Sequence, residues 1–85
     1  MISLLNGGVM TRQAAARERI AALTAREREV LALVGTGLSN AEIGERLFLV
    51  EGTVKVYVST MLSRLGLKNR VQAAVLAYQA GLVEE

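Results

Sequence analysis

The 85-residue chain contains no cysteine, histidine, proline or tryptophan. Without thiols or imidazoles there is no disulfide, no zinc ligand set, and no Cys or His to act as nucleophile or general base. Aromatic side chains are reduced to Phe48, Tyr57 and Tyr78, and strand-type alternation is nowhere sustained. No apolar run approaches the ~20 residues that span a bilayer. The opening Met1–Leu5 lacks the basic start, long apolar middle and cleavage site of a signal peptide. Nor is there a nucleophile–base pair, a Gly-rich phosphate loop or the length for a substrate pocket. The expectation is a soluble cytoplasmic chain that is not an enzyme and has no cofactor, metal or membrane partner. What is abundant is Ala, Leu, Glu and Arg, which favours an all-α chain with short connections. The length suits one small domain with a modest core.

The net charge of +2 is small, and its distribution says more than its size. Residues 1–50 carry six basic and five acidic side chains, whereas residues 51–72 carry Lys55, Arg64, Lys68 and Arg70 against Glu51 alone. A local basic balance is the footprint of phosphate contact, against the plainer reading of a solvated surface.

Along the chain, residues 1–10 have a Gly pair and no periodicity, and read as a flexible leader. Thr11 can cap a helix from Arg12 to about Ala22, with Ala15, Ile20 and Leu23 as inward positions. Its Arg12, Arg17 and Arg19 read as solvated charges, with phosphate contact as the alternative. Residues 1–22 are thus expected to be leader and linker helix, and 23–85 the functional domain. Thr24-Ala25-Arg26-Glu27 and Ser39-Asn40-Ala41-Glu42 both have the spacing of a capping box and predict two helix starts. In the first helix Glu27, Val30, Leu31 and Val34 repeat at helical spacing, and Gly35-Thr36-Gly37 supplies the stop; the second would bury Ile43 and Leu47. Gly44, in mid-helix, predicts the close approach of another helix, and the short apolar Phe48-Leu49-Val50 predicts a buried turn.

A longer helix follows from about Glu51 to Leu65, ended by Gly66, and it has two unlike faces. Val54, Val58, Met61 and Leu65, with Tyr57 and Leu62 beside them, can bury against a core. The opposite stripe of Gly52, Lys55, Val56, Ser59, Thr60 and Ser63 has one cation, hydroxyls, a small apolar group and no acid. A helix lying in a DNA major groove needs such donors and methyl groups with little bulk, whereas a solvent face normally carries long charges of both signs. Residues 39–67 therefore have the shape of a helix-turn-helix. A last helix runs from Arg70 to about Ala80 and ends at Gly81. It has one stripe of Val71, Ala74, Val75 and Tyr78 and another of Ala73, Leu76, Ala77 and Ala80. One must close the core; the other is small and apolar, so that either the helix is nearly buried or its outer side meets a partner, and a symmetric pair of such helices makes an isologous homodimer.

These residues carry a resemblance. Leu23-Thr24, Arg26-Glu27, Glu29-Val30-Leu31, Gly37-Leu38-Ser39-Asn40, Glu42-Ile43, Glu51-Gly52-Thr53-Val54-Lys55, Leu65, Asn69-Arg70, Gln72-Ala73 and Gly81-Leu82-Val83 stand in the order and spacing of a known family. The chain resembles the LuxR/NarL/FixJ-type helix-turn-helix domain of bacterial transcription regulators, many of them response regulators of two-component systems. The resemblance implies a four-helix domain, here preceded by the short N-terminal helix, with a recognition helix in the major groove of double-stranded DNA and a last helix used for dimerisation. It places Lys55, Val56 and Ser59, with Thr60 on the same face, at base edges, and Ser39, Asn40, Thr53, Lys68 and Arg70 near phosphates. Arg70 has an internal alternative in Glu27. Val71, Ala74, Val75 and Tyr78 would form the dimer surface. RNA polymerase is a further partner open to solvent-facing residues such as Glu45. Two departures stand out: Val50 replaces the usual Ser or Thr cap of the recognition helix, and Tyr57 replaces the usual His.

Two other readings compete. The promoter-binding end domain of a sigma factor shares the Thr53-Val54-Lys55 style of helix, but the Ala-rich tail from Asn69 to Val83 fits the LuxR type better. A helical protein–protein interaction module would sit better with a neutral or acidic outer stripe than with the one present.

Overall fold

The computed structural model describes residues 11–83, which form five helices: α1 (Arg12–Ile20), α2 (Ala25–Gly35), α3 (Asn40–Leu47), α4 (Glu51–Leu65) and α5 (Arg70–Gln79). The expected leader, residues 1–10, lies outside the described residues. Side chains fix most of the helix starts. Thr24 Oγ1 accepts from the Glu27 N–H at 3.1 Å while the Thr24 N–H donates to Glu27 Oε1 at 2.9 Å, and Ser39 and Glu42 repeat the exchange at 3.1 and 2.8 Å. Asn69 caps α5 by accepting from the Gln72 N–H, and Thr11 caps α1 by accepting from the Ala14 N–H. Each cap satisfies an amide that the helix leaves without a partner.

The core is built from one face of each helix. Val30, Leu31, Ile43, Val54, Met61, Ala73 and Ala77 have no exposed surface, and Val34, Leu65, Leu76 and Ala80 are buried with them. Helices α3 and α4 pack on each other, α2 packs on both α4 and α5, and α1 packs on α5. Of the two stripes on α5, it is Ala73, Leu76, Ala77 and Ala80 that turn inward. Crossing α2 so tightly requires Gly35: a β-carbon there would stand 2.6 Å from Val83 Cγ2 and 2.8 Å from Ala77 Cβ.

The structure corrects four expectations. The Phe48-Leu49-Val50 connection is not a buried turn. Phe48 is 94% exposed and Val50 73% exposed, and only Leu49 packs on the core. The cause is the backbone of Phe48, whose φ of 59° ends α3 in the left-handed region and turns its ring outward. Gly44 does meet a close neighbour, but the neighbour is the turn rather than another helix: a β-carbon would collide with the Leu49 carbonyl oxygen. In α1, which ends at Ile20, the deeply buried alanine is Ala16 rather than Ala15, because Ala16 is the one that lies a helical turn from Ile20. Finally, Arg70 does not pair with Glu27. That carboxylate is taken by Arg64 of α4, whose Nη1 lies 2.9 Å from Glu27 Oε1.

Candidate nucleic-acid interface

Helix α4 separates its two chemistries as its periodicity predicts. Val54, Val58, Met61 and Leu65 are buried, and Tyr57 and Leu62 pack against the core at its edge. Gly52, Lys55, Val56, Ser59, Thr60 and Ser63 are all exposed. At a rise of ~1.5 Å per residue the helix is about 22 Å long, enough to lie across a major groove. Its two cations have separate fates. Arg64 is drawn to Glu27, a carboxylate with a side chain only 7% exposed that also closes the α2 capping box. Lys55 stays exposed and makes no ion pair among the described residues.

The start of α4 is built with little local support. Val50 occupies the N-cap in the extended conformation and provides no side-chain hydrogen bond, which forgoes about 1 kcal/mol relative to a Ser or Thr. Gly52, in the first turn, has open space where a β-carbon would project, and a helical glycine costs roughly 0.5–1 kcal/mol relative to alanine. The turn that delivers the chain to this point is held from inside, by the Leu49 N–H donating to the Gly44 carbonyl at 2.8 Å.

Of the residues expected near phosphates, the structure brings two into direct contact. Arg70 Nη1 donates to Asn40 Oδ1 and Nη2 to the Leu38 carbonyl, both at 2.6 Å. The guanidinium thereby ties the start of α5 to the start of α3 and presents cation, amide and the exposed Ser39 hydroxyl around one corner. Glu42 shares that corner, and its carboxyl is held below the usual carboxylate range. The Ser39 backbone N–H is the main cause, the Ser39 side chain adds to it, and Arg46 contributes less. Lys68 is exposed, with its backbone N–H donating to Gln72 Oε1 at 2.7 Å, and Thr53 is half-buried in the first turn of α4. On α5, Val71, Val75 and Tyr78 are exposed and Ala74 is half-buried.

With this geometry in view, the comparison with known families is direct: the model of bacterial regulatory proteins of the luxR family matches residues 21–77. The chain belongs to the LuxR family. The matched span takes in α2, α3, α4 and most of α5. Among the relatives, the chain is 50% identical to the transcriptional regulatory protein LnrK of Bacillus subtilis over 60 residues, covering 71% of this chain and 27% of that protein. It is 48% identical to the DNA-binding transcriptional activator DevR/DosR of Mycobacterium tuberculosis over 61 residues, 72% of this chain and 28% of the relative. It is 51% identical to the nitrate/nitrite response regulator protein NarL of Escherichia coli over 57 residues, 67% of this chain and 26% of the relative. The LuxR-type chain thus spans about a quarter of the length of these curated relatives. Helix α3, the turn and α4 are its helix-turn-helix.

Two further contacts, which tie α1 to the LuxR-type domain, were not legible in the sequence. Arg19 Nη2 donates to the Leu65 carbonyl at 2.8 Å, and Arg17 Nε donates to the Ala80 carbonyl at 3.2 Å. Both place a cation on the negative end of a helix, α4 in the first case and α5 in the second, where it satisfies an orphan carbonyl and complements the dipole. The spacing of arginines on α1 carries no signal for this, since it depends on which helix ends lie across the fold. Among the described residues no helix is long and apolar enough to cross a membrane, and no cluster of potential metal ligands occurs.

Proposed function

We propose that this LuxR-family chain is the DNA-reading part of a transcription regulator, with α4 inserted in the major groove and two copies binding related half-sites. One observation carries the reading: the exposed stripe of α4 holds Lys55, Val56, Ser59 and Thr60 and no acid, while the other cation of the helix, Arg64, is committed to Glu27. Lys55 donates to guanine O6 or N7, Val56 meets a thymine methyl, and Ser59 and Thr60 read further along the groove. Ser39, Asn40, Thr53, Lys68 and Arg70 set the register on phosphates. The Arg70–Asn40 bond leaves further guanidinium N–H groups for that contact, since Arg carries five donors. Val71, Ala74, Val75 and Tyr78 form the surface for the second copy, in keeping with three exposed apolar side chains on one side of α5. Exposed Glu45 is available for contact with RNA polymerase.

The test is selection of bound sequences from a random DNA pool, followed by titration of the selected duplex across salt for wild type and Lys55→Ala. A short repeated motif, steep salt dependence and loss of preference in the variant are expected. A folded protein that enriches no sequence and binds no duplex at low salt would turn the assignment towards a protein–protein module.

A further inference from the structure

The described glycines divide unevenly. Gly37, Gly66 and Gly81 have positive φ, and a side chain at Gly35 or Gly44 would strike atoms of the fold itself. Gly52 alone among them has neither reason: it lies inside α4, and nothing stands within 4 Å of where its β-carbon would be. An alanine there would fit and would strengthen the helix. Gly52 also shares a face with the groove-reading residues, since Lys55, Val56 and Ser59 follow it at three, four and seven positions. No intramolecular contact explains the missing side chain, and the residue sits one turn before Lys55 on the stripe proposed to enter DNA.

Resting on that DNA-binding reading, we infer that the bare main chain of Gly52 sets how deeply α4 inserts into the major groove. With no β-carbon, the first turn of the helix can come into van der Waals contact with the groove wall. Lys55 and Val56 then reach the base edges over a shorter distance. A side chain at 52 holds the helix away from the bases without disturbing the fold. The loss falls on base readout more than on phosphate attraction, because the latter acts over a longer range and persists in loosely docked complexes.

The experiment compares wild type, Gly52→Ala and Gly52→Leu, with Lys55→Ala beside them, on the duplex selected above and on a random-sequence duplex, with thermal unfolding of each protein. The expected result is an unchanged or raised Tm for Gly52→Ala and roughly tenfold weaker binding to the selected duplex, the size of one lost contact. Gly52→Leu should weaken it further, and both should leave binding to the random duplex nearly unaltered. Selected-duplex affinity unchanged in both variants would overturn the inference. So would a lowered Tm in Gly52→Ala, which would make the glycine structural, or an equal loss on both duplexes. A wild type without sequence preference, or one whose preference survives Lys55→Ala, would instead remove the DNA-binding reading and this inference with it.

Discussion

At the scale of single residues, several arginines and Lys55 do different work. Arg64, Arg70, Arg17 and Arg19 all have partners within the fold, whereas Lys55 points outward without an ion pair among the described residues. Lys55→Ala should therefore weaken specific DNA binding by about 1–3 kcal/mol and leave the far-ultraviolet dichroism unchanged. Specificity retained in full by that variant would reassign the reading face. Glu27 is the opposite case, a nearly buried acid holding both its own helix start and Arg64. Glu27→Ala should cost at least about 2 kcal/mol in urea unfolding, because the cap and the partner of Arg64 are lost together. Glu27→Gln, which keeps the capping geometry, should cost about 1 kcal/mol less than that. Equal losses would mean that the charge dominates. Val50→Ser should move stability the other way, by about 1 kcal/mol, by supplying the hydroxyl that α4 lacks.

At the scale of elements, the helix boundaries were legible because they are written in local chemistry. Thr24 with Glu27, Ser39 with Glu42, and Gly66 after Leu65 act over three or four residues, so their positions follow from spacing alone. The Ser39–Glu42 box also predicts a pH response. The folded Glu42 carboxyl is held below the usual carboxylate range, so the unfolded chain takes up this proton at higher pH than the folded one. Its contribution is complete above the ordinary carboxylate range and is lost as the pH falls through the lowered folded value. Glu42→Gln keeps an acceptor for the Ser39 N–H and removes the titration, so its stability should fall less steeply than wild type between neutrality and about pH 3. Parallel urea midpoints for the two proteins over that range would refute this. The outward turn of Phe48 was not legible, because an apolar residue in a short connection is compatible with burial or exposure until its φ is known. Pairing of Glu27 with Arg64 rather than Arg70 was equally hidden: the choice is made by the packing of α2 on α4, not by sequence distance.

For the whole molecule, the proposed pairing of two copies rests on α5. The exposed side of α5 offers Val71, Val75 and Tyr78, with Ala74 small enough to admit a close crossing. The double variant Ala74→Glu with Tyr78→Glu should stay helical while half-site cooperativity on DNA is lost, read by sedimentation and by titration of a two-site duplex. Unchanged cooperativity in the folded variant would move the dimer surface elsewhere. Helix α1 also acts at this scale, since Ala16 and Ile20 bury against the domain while Arg17 and Arg19 hold the ends of α5 and α4.

Periodicity and capping were enough to establish an all-helical chain, the span of α4 and the division of its surface into a core face and an outer face. Those properties depend on residues within one or two turns of each other, where geometry is set by the helix itself. The fates of the charged side chains needed the folded molecule. Arg64, Arg70, Arg17 and Arg19 find partners between 30 and 63 positions away in the chain. A long flexible cation can reach many acceptors, and only the packing of the helices selects one of them.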